Sequence, residues 1–516
     1  MTRFTDAIAR RPKFKRGLVV DLFAGGGGVS SGFKLATGRS PDIAINHDPE
    51  AVAMHAINHP ETRHYCESVW DVNPQKATKG LPLALLWGSP DCTHHSKARG
   101  GKPVKKNIRG LAWVIAKWAA ITSPNLIILE NVEEFQDWGP VIAKRCKDTG
   151  RVVRSDGSVA APGEHTPYHE QYLIPDSKRR GQYFRRFVGL LRKMGYEVDW
   201  RELRACDYGS PTIRKRFFLI ARRDGRPITW PAQTHGDPAL LPVRSGKLRP
   251  WRTAAEIVDF SLPCPSIFIS QNEAKQLGLK VKRPLAPKSL QRIVRGVQRF
   301  VLETDTPFVV NFQNENASHD RGDHPLAVAY LMREFGCSVG QTLDAPAPTV
   351  MATGAGKTKL VVSWMTKMKG TNTGSAADTP LHTIAAGGGH HAVTYAHLVS
   401  FMGRDKGYPL DRPLNTITAK DRFGLVTTTV GGEPYVITDI GMRMLTPREL
   451  YRAHGFDDSY VIDVGAGRRE LPGKSQVRMC GNGVPLHPVA ALVRANFREI
   501  RIPMPIEVQG DLLEAV

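Results

Sequence analysis

A strand-length apolar run that ends in four consecutive glycines constrains this chain more than any other feature. Residues 17–23 read GLVVDLF, and Ala24-Gly25-Gly26-Gly27-Gly28 leads into helical spacing around residues 30–36. A buried strand feeding a glycine turn and a helix is the opening unit of a parallel α/β domain. Glycine there lets backbone approach a ligand closely, and the helix N-terminus offers free N–H groups. The spacing is not the dinucleotide-binding G-x-G-x-x-G, because Ser30 stands at the third glycine position when counting starts from Gly25. A nucleotide-like ligand and a purely structural tight turn both remain open at this point.

The alternation continues. Residues 43–46, 83–87, 126–129 and 217–221 are apolar runs of strand length, while 50–58 and 183–194 have helical spacing. Residues 1–235 are therefore expected to form an α/β domain with a mostly parallel central sheet. Residues 148–180, polar and rich in Gly, Pro and Arg, read as a loop or insertion. Past Pro231 the texture turns to Thr, Gly, Pro and Val, and a weak repeat emerges. DAPAPTVMA from Asp344, DTPLHTIAA from Asp378 and DRPLNTITA from Asp411 follow one another at steps of 34 and 33 residues. That period suggests one β-rich supersecondary unit used three times, within an insert spanning 236–436. Helical texture returns in residues 445–456 (LTPRELYRAHGF) and 481–497, so 437–516 is expected to rejoin the first domain. Thr446-Pro447-Arg448-Glu449 has the pattern of an N-cap, a first-turn proline and a first-turn acid.

Charge points to a partner. The 516 residues carry 71 Lys+Arg against 49 Asp+Glu, a net +22, which attracts polyanions and nucleic acid first among them. Solubility through net charge is the plainer explanation. With 41% hydrophobic residues the chain is no disordered polyelectrolyte. No apolar run approaches the ~20 residues that span a bilayer, and the first residues lack the apolar core of a secretory signal. Seven cysteines without a C-x-x-C pair fit neither a disulfide framework nor a zinc ribbon, so a reducing cytoplasm is expected.

Three short segments carry chemistry. Gly88-Ser89-Pro90-Asp91-Cys92 follows a strand end, where open α/β sheets place their sites. Lys97 and Arg99 nearby would raise the thiolate fraction of Cys92. His94-His95 lacks further ligands at metal-binding spacing. Glu130 follows four apolar residues, a costly position without partners and one that favours a raised pKa. Arg214 and Arg216 alternate onto one face of a following strand and Lys215 onto the other. A salt-bridge or surface role is the alternative for each. Gly354-Ala355-Gly356-Lys357-Thr358 ends like a phosphate-binding loop, but Met351 occupies its first glycine position and no helix follows.

In combination and in this order, DLFAGGGG, SPDC, ENV, RKR (214–216), LTPRELYRAHGF and GNGVP resemble the DNA cytosine-5 methyltransferase family. The resemblance covers about the first 235 and last 80 residues, and the insert lies where that family keeps its variable target-recognition domain. It implies a Rossmann-like S-adenosylmethionine-dependent domain with a β-rich inserted target-recognition domain. It implies that Cys92 attacks C6 of a flipped cytosine, that Glu130 contacts N3 and the exocyclic amine, that Arg216 contacts O2, and that Arg214 supports the pocket. Phe23, Ala24, Gly25 and Asn482 would border S-adenosylmethionine. The position of the ribose-binding acid holds Asn46, with His47 and Asp48 adjacent, and that of the adenine-contacting Asp holds Ser68, with Asp71 nearby. Asp91 stands where the family usually has Pro, and Thr212 where it has Gln. Double-stranded DNA is the implied partner, with a cognate restriction endonuclease as a second candidate and a monomer as the expected state. Segments 311–316 (NFQNEN) and 418–422 (TAKDR) are candidate base readers in the insert. RNA cytosine methylation and a catalytically silent DNA-binding relative are the alternatives. A nicotinamide oxidoreductase would account for the glycine turn alone.

Overall fold

The computed structural model describes residues 14–91, 110–310, 326–334, 338–352, 357–367, 397–400, 408–409, 423–425, 427–430 and 433–503. Its centre is a seven-stranded sheet. In chain order the strands and helices of this layer are β1 (Leu18–Leu22), α1 (Gly28–Thr37), β2 (Ile43–Ile45), α2 (Pro49–Asn58), β3 (Arg63–Tyr65), β4 (Leu83–Gly88), α3 (Trp113–Thr122), β5 (Leu126–Asn131), α4 (Gln182–Lys193), β6 (Glu197–Arg204) and β7 (Lys215–Arg222). The spatial order is β3-β2-β1-β4-β5-β7-β6. The first five strands are mutually parallel, and β7 runs antiparallel to both β5 and β6.

Period-two alternation explains why both faces of the sheet are buried. Val20, Leu22, Leu86, Ile127, Leu129, Phe217 and Leu219 face one core, against Ile115 and Trp118 of α3 and Phe184, Phe187 and Leu191 of α4. Val19, Leu85, Trp87, Ile128, Phe218 and Ile220 face the other, against Val29 and Phe33 of α1. Residues 141–175, which overlap the 148–180 stretch expected to be a loop, contain paired structure. Val141–Ala143 pairs with Leu173–Pro175, and further bridges join Arg145 to Val152 and Arg154 to Gln171. Backbone pairing there is satisfied locally, without an apolar periodicity to announce it.

Beyond residue 258 lies a six-stranded antiparallel sheet. Its long members are β8 (Leu326–Arg333), β9 (Thr358–Lys367) and β10 (Glu433–Met444), the last running across position 436 without a break. Helix α5 (Pro287–Val297) covers one face of that sheet, placing Ile293 and Val297 against Tyr330. This helix stands in a region whose sequence texture suggested strands alone. The first copy of the repeat, Asp344 to Ala352, is described as a mostly irregular segment. The second and third copies, and the candidate base readers at 311–316 and 418–422, lie outside the described residues.

Three C-terminal helices follow: α6 (Pro447–Ala453), α7 (Gly473–Asn482) and α8 (Leu486–Asn496). Thr446 caps α6 in a reciprocal capping box with Glu449, whose carboxylate is also held by Arg443 at 2.7 Å. Helix α8 returns to the first domain and packs on α1, with Val489, Leu492 and Val493 in the second core. The approach is so close that a Cβ on Gly32 would stand 2.6 Å from Val489. No described helix is long and apolar enough to cross a membrane.

Candidate active site

The carboxyl ends of β1, β4 and β5 converge on one rim, and the chain leaving β4 is held there from three sides. The Ser89 amide donates to the Leu22 carbonyl of β1 (3.3 Å). Trp87 Nε1 donates to Ser89 Oγ (3.0 Å), and Asn131 Nδ2 at the end of β5 donates to the Pro90 carbonyl (2.9 Å). Asn131 is fully buried, so its amide acts in a dry setting where a hydrogen bond is strong. This clamp fixes the two residues that lead into Asp91 and Cys92. Cys92, His94, His95, Lys97 and Arg99 lie outside the described residues.

Glu130 precedes Asn131, and its carboxylate is buried beside Arg216, whose Nε lies 3.2 Å away. Burial pushes the Glu130 pKa above the usual carboxylate range, against the opposing pull of Arg216, Arg214 and the Ser89 hydroxyl. A carboxyl in this state holds its proton to higher pH than an ordinary one and can act as a proton donor. Arg214 and Arg216 do share a face of the chain entering β7, while Lys215 pairs with Glu202 on the opposite side.

Arg214 acts at a distance from Glu130. Its Nη2 donates to the carbonyls of Gly481 and Gly483, both at 2.9 Å, and its Nη1 to the carbonyl of Val350 at 3.2 Å. One buried guanidinium therefore ties the start of β7 to the irregular segment around Val350 and to both residues flanking Asn482, which is itself exposed. His454 is also fully buried. Neither of its ring nitrogens has a hydrogen-bond partner among the described residues. Burial, then Arg214 and Arg216, hold its pKa well below the usual histidine value, so the ring is neutral beside the two cations. Nothing in the pattern of LYRAHGF marks this histidine out; only the three-dimensional packing does.

The glycine turn needs its glycines because the connections between the C-terminal helices crowd it. A Cβ on Gly27, at φ 87°, would fall 2.0 Å from Tyr460 Oη, and one on Gly28 would fall 2.3 Å from the Val484 carbonyl oxygen. Beside the turn is a narrow cleft, too tight to admit a water molecule, lined by Ala24, Gly25, Ala44, Asn46, Val52, His55 and His64. Of the eight residues expected around a cofactor, Ala24, Gly25 and Asn46 line this cleft. Phe23, His47, Asp48, Ser68 and Asn482 do not. Asp48 caps α2 through the Glu50 amide (3.0 Å) and pairs with Arg478 at 2.7 Å, which holds its pKa below the ordinary aspartate value despite burial. Ser68 is spent on a local turn, accepting from the Trp70 amide at 3.3 Å. His47 is exposed, and Phe23 adopts φ 64° at the mouth of the turn.

A polar chain runs beneath the cleft. Ser30 Oγ donates to Asp21 Oδ2 (2.9 Å) and lies 2.9 Å from His55 Nε2, and His55 Nδ1 lies 2.8 Å from His64 Nε2. Ser30, the residue that breaks the dinucleotide pattern, is thus the link between strand β1 and helix α2. Asp21 is completely buried, with no partner for Oδ1 among the described residues, and burial raises its pKa to about 7. The folded protein therefore keeps this proton while the unfolded chain releases it from about pH 4 upward, so stability falls as pH rises toward 7 and stays lowered above. Asp21→Asn should gain up to roughly 4 kcal/mol at pH 8, and that gain should shrink toward zero near pH 4. Urea unfolding of the ligand-free protein at several pH values measures it. An equal effect at both ends of the range would contradict the assignment of the proton.

A family model described as C-5 cytosine-specific DNA methylase matches residues 18–139 and 176–258. The match takes in less than half of the chain and marks a similarity to that family over those two stretches. The matched stretches contain the glycine turn, Glu130, Arg214 and Arg216. Type II methyltransferase M.AgeI of Thalassovita gelatinovora is 26% identical over 222 residues, which cover 42% of this chain and 42% of that protein. M.AquIA of Picosynechococcus sp. is 24% identical over 250 residues, covering 46% of this chain and 87% of that protein. M.XorII of Xanthomonas oryzae is 26% identical over 220 residues, 41% of this chain and 42% of its own length. Similarity to several of these methylases thus spans less than half of either partner. Among solved structures, the S. pombe Dnmt2 methyltransferase aligns over 92% of this chain and 97% of its own, with a TM-score of 0.42 and 12% identity. Entamoeba histolytica EhMeth aligns over 93% and 97%, with a TM-score of 0.41 and 12% identity. The fold is a mostly parallel central sheet with additional sheet elements.

Proposed function

We propose that this protein is a DNA cytosine-5 methyltransferase that acts through a covalent bond between Cys92 and C6 of an extruded cytosine. The observation that carries the reading is the buried Glu130–Arg216 pair at 3.2 Å, set beside the clamped Ser89-Pro90 segment that leads into Cys92. Similarity to the C-5 cytosine-specific DNA methylase model and the Type II methyltransferase designation of its relatives support it. The same designation supports a modification role alongside a cognate restriction endonuclease.

Each group has a defined task. C5 of cytosine is a poor nucleophile in the aromatic ring. The Cys92 thiolate adds to C6 while Glu130 gives a proton, or a strong hydrogen bond, to N3. The ring becomes an enamine whose C5 is nucleophilic. Arg216, oriented by Glu130, donates to O2 and holds the base against the pocket. After C5 is methylated, loss of the C5 proton returns an electron pair to the ring and expels Cys92 as thiolate. Extrusion of the base costs a few kcal/mol of stacking, which contacts in the pocket must offset.

S-adenosylmethionine, the donor this family implies, supplies an electrophilic methyl group when bound. The residues present fit it. A Cβ at Gly25 would meet nothing nearer than the Phe23 carbonyl oxygen at 3.7 Å, so the backbone of the turn is open to approach there. Asn46 suits the ribose hydroxyls better than Asp48, whose carboxylate is already committed to the α2 cap and Arg478. Asn482 would close over the donor, positioned by the grip of Arg214 on its two neighbours.

The test is one incubation of the protein with methyl-labelled S-adenosylmethionine and either unmethylated duplex DNA of mixed sequence or an RNA of matching sequence. Label recovered as 5-methylcytosine in DNA is expected. Label in RNA alone would reassign the substrate, and none in either would leave a silent relative.

A further inference from the structure

Outside the site just described, a groove of about 1290 Å³ lies on the α3–α4 side of the sheet. Helices α3 and α4 both begin at the carboxyl ends of the parallel strands, and their first turns supply Trp113 and Tyr183 to the groove. Its outer wall includes Tyr168, from the 140–175 segment that the family model skips. Pro140, Val141 and Tyr168 of its lining thus lie outside the stretches that the family model matches, and the rest lie within them.

Its lining is aromatic and cationic. Trp70 is 42% and Tyr168 52% exposed, unusually open for rings of that size. Arg186 and Lys193 stand two helical turns apart on α4, about 10 Å along its axis, and both are exposed without an ion-pair partner among the described residues. No acidic residue is among the described lining residues. Between the two cations, on the same stripe, sits Gly189. A Cβ there would meet nothing within 4 Å, so no packing requires glycine at a helix-interior position where it costs about 1 kcal/mol relative to alanine. A ligand that approaches the helix backbone closely accounts for it.

We propose that this groove binds a segment of single-stranded DNA continuous with the substrate at the catalytic rim. Exposed rings stack on base faces that only an unpaired strand presents, and Arg186 and Lys193 are placed to meet its phosphates. The net charge of +22 points the same way. The inference deepens the proposed methyltransferase reading, on which the identity of the strand rests.

The test compares anisotropy of a fluorescent single-stranded oligodeoxynucleotide with wild type, the double variant Arg186→Ala/Lys193→Ala, Tyr168→Ala and Gly189→Ala. The double variant should weaken binding about 10-fold and reduce the magnitude of the salt slope by roughly 1.4, the value for two lost phosphate contacts on a single strand. Tyr168→Ala should weaken it about fivefold or more, the low end for loss of one stacked base. Gly189→Ala should raise the thermal unfolding midpoint yet weaken binding, a pairing that a purely structural role does not produce. Unchanged affinity in all variants overturns the proposal. So does a groove variant that converts a dimer to monomer in sedimentation while DNA binding is unaltered, because the occupant would then be a second copy. Methyl transfer to duplex DNA by wild type is read separately, so failure of the enzyme reading is distinguishable from failure of the groove.

Discussion

Cys92→Ala should lose methyl transfer by on the order of 10⁴-fold or more, because removing a nucleophile removes the covalent path itself rather than one contact along it. Residual transfer would have to proceed from an aromatic C5. The same variant should still bind DNA and donor, since neither depends on the sulfur, so the loss should fall in kcat rather than in KM. Cys146→Ala is the control. That thiol belongs to the 140–175 segment, is not fully buried, and has no place in the proposed chemistry. Single-turnover rates with labelled donor measure both variants. A Cys92→Ala rate within tenfold of wild type would remove the nucleophile from position 92.

Glu130→Gln comes next, with an expected fall in kcat of about 10²- to 10⁴-fold, the usual range for loss of a positioned general acid. The amide keeps the shape of the carboxyl and can still accept from Arg216, but it cannot deliver a proton to N3. The pH profile makes the prediction sharper. Burial raises the Glu130 pKa above its ordinary value, so the protonated form persists upward in pH and is lost as pH rises through the raised value. Wild-type kcat should therefore decline on the alkaline side, and the decline due to Glu130 should vanish in Glu130→Gln. An alkaline limb that survives the substitution unchanged would assign that proton to another group.

Much of the fold was legible because both faces of the central sheet are covered. A strand buried on two sides must be apolar throughout, and 17–23, 83–87 and 126–129 announce themselves that way. The helix at 183–194 was equally plain, with Phe184, Phe187 and Leu191 on its buried stripe. The 141–175 annex was not, because its short pairs hold one another mostly through backbone hydrogen bonds and leave no periodic apolar signal. Helix α5 was missed for a related reason: its buried stripe is short, and prolines and charges surround it.

At the site, the acid and the two arginines were visible from spacing, since Glu130 closes an apolar strand and alternation puts Arg214 and Arg216 on one face. What spacing does not carry is contact across hundreds of residues. The hold of Arg214 on Gly481 and Gly483, and the neutral His454 beside it, arise where the C-terminal helices return to the sheet. The ribose-binding question is similar. Asn46 and Asp48 are two residues apart and equivalent on paper, but one carboxylate is already used by Arg478.

The most direct measurement is a trapping reaction. Mixed-sequence duplex DNA carrying 5-fluorocytosine is incubated with the protein and S-adenosylmethionine, then resolved under denaturing conditions. Fluorine cannot leave C5 as a cation, so the adduct should be arrested after methylation. The expected result is a denaturant-stable protein–DNA complex whose digestion yields a modified peptide containing Cys92. A protein that methylates ordinary duplex DNA yet forms no such complex, or forms it through another residue, would contradict the mechanism.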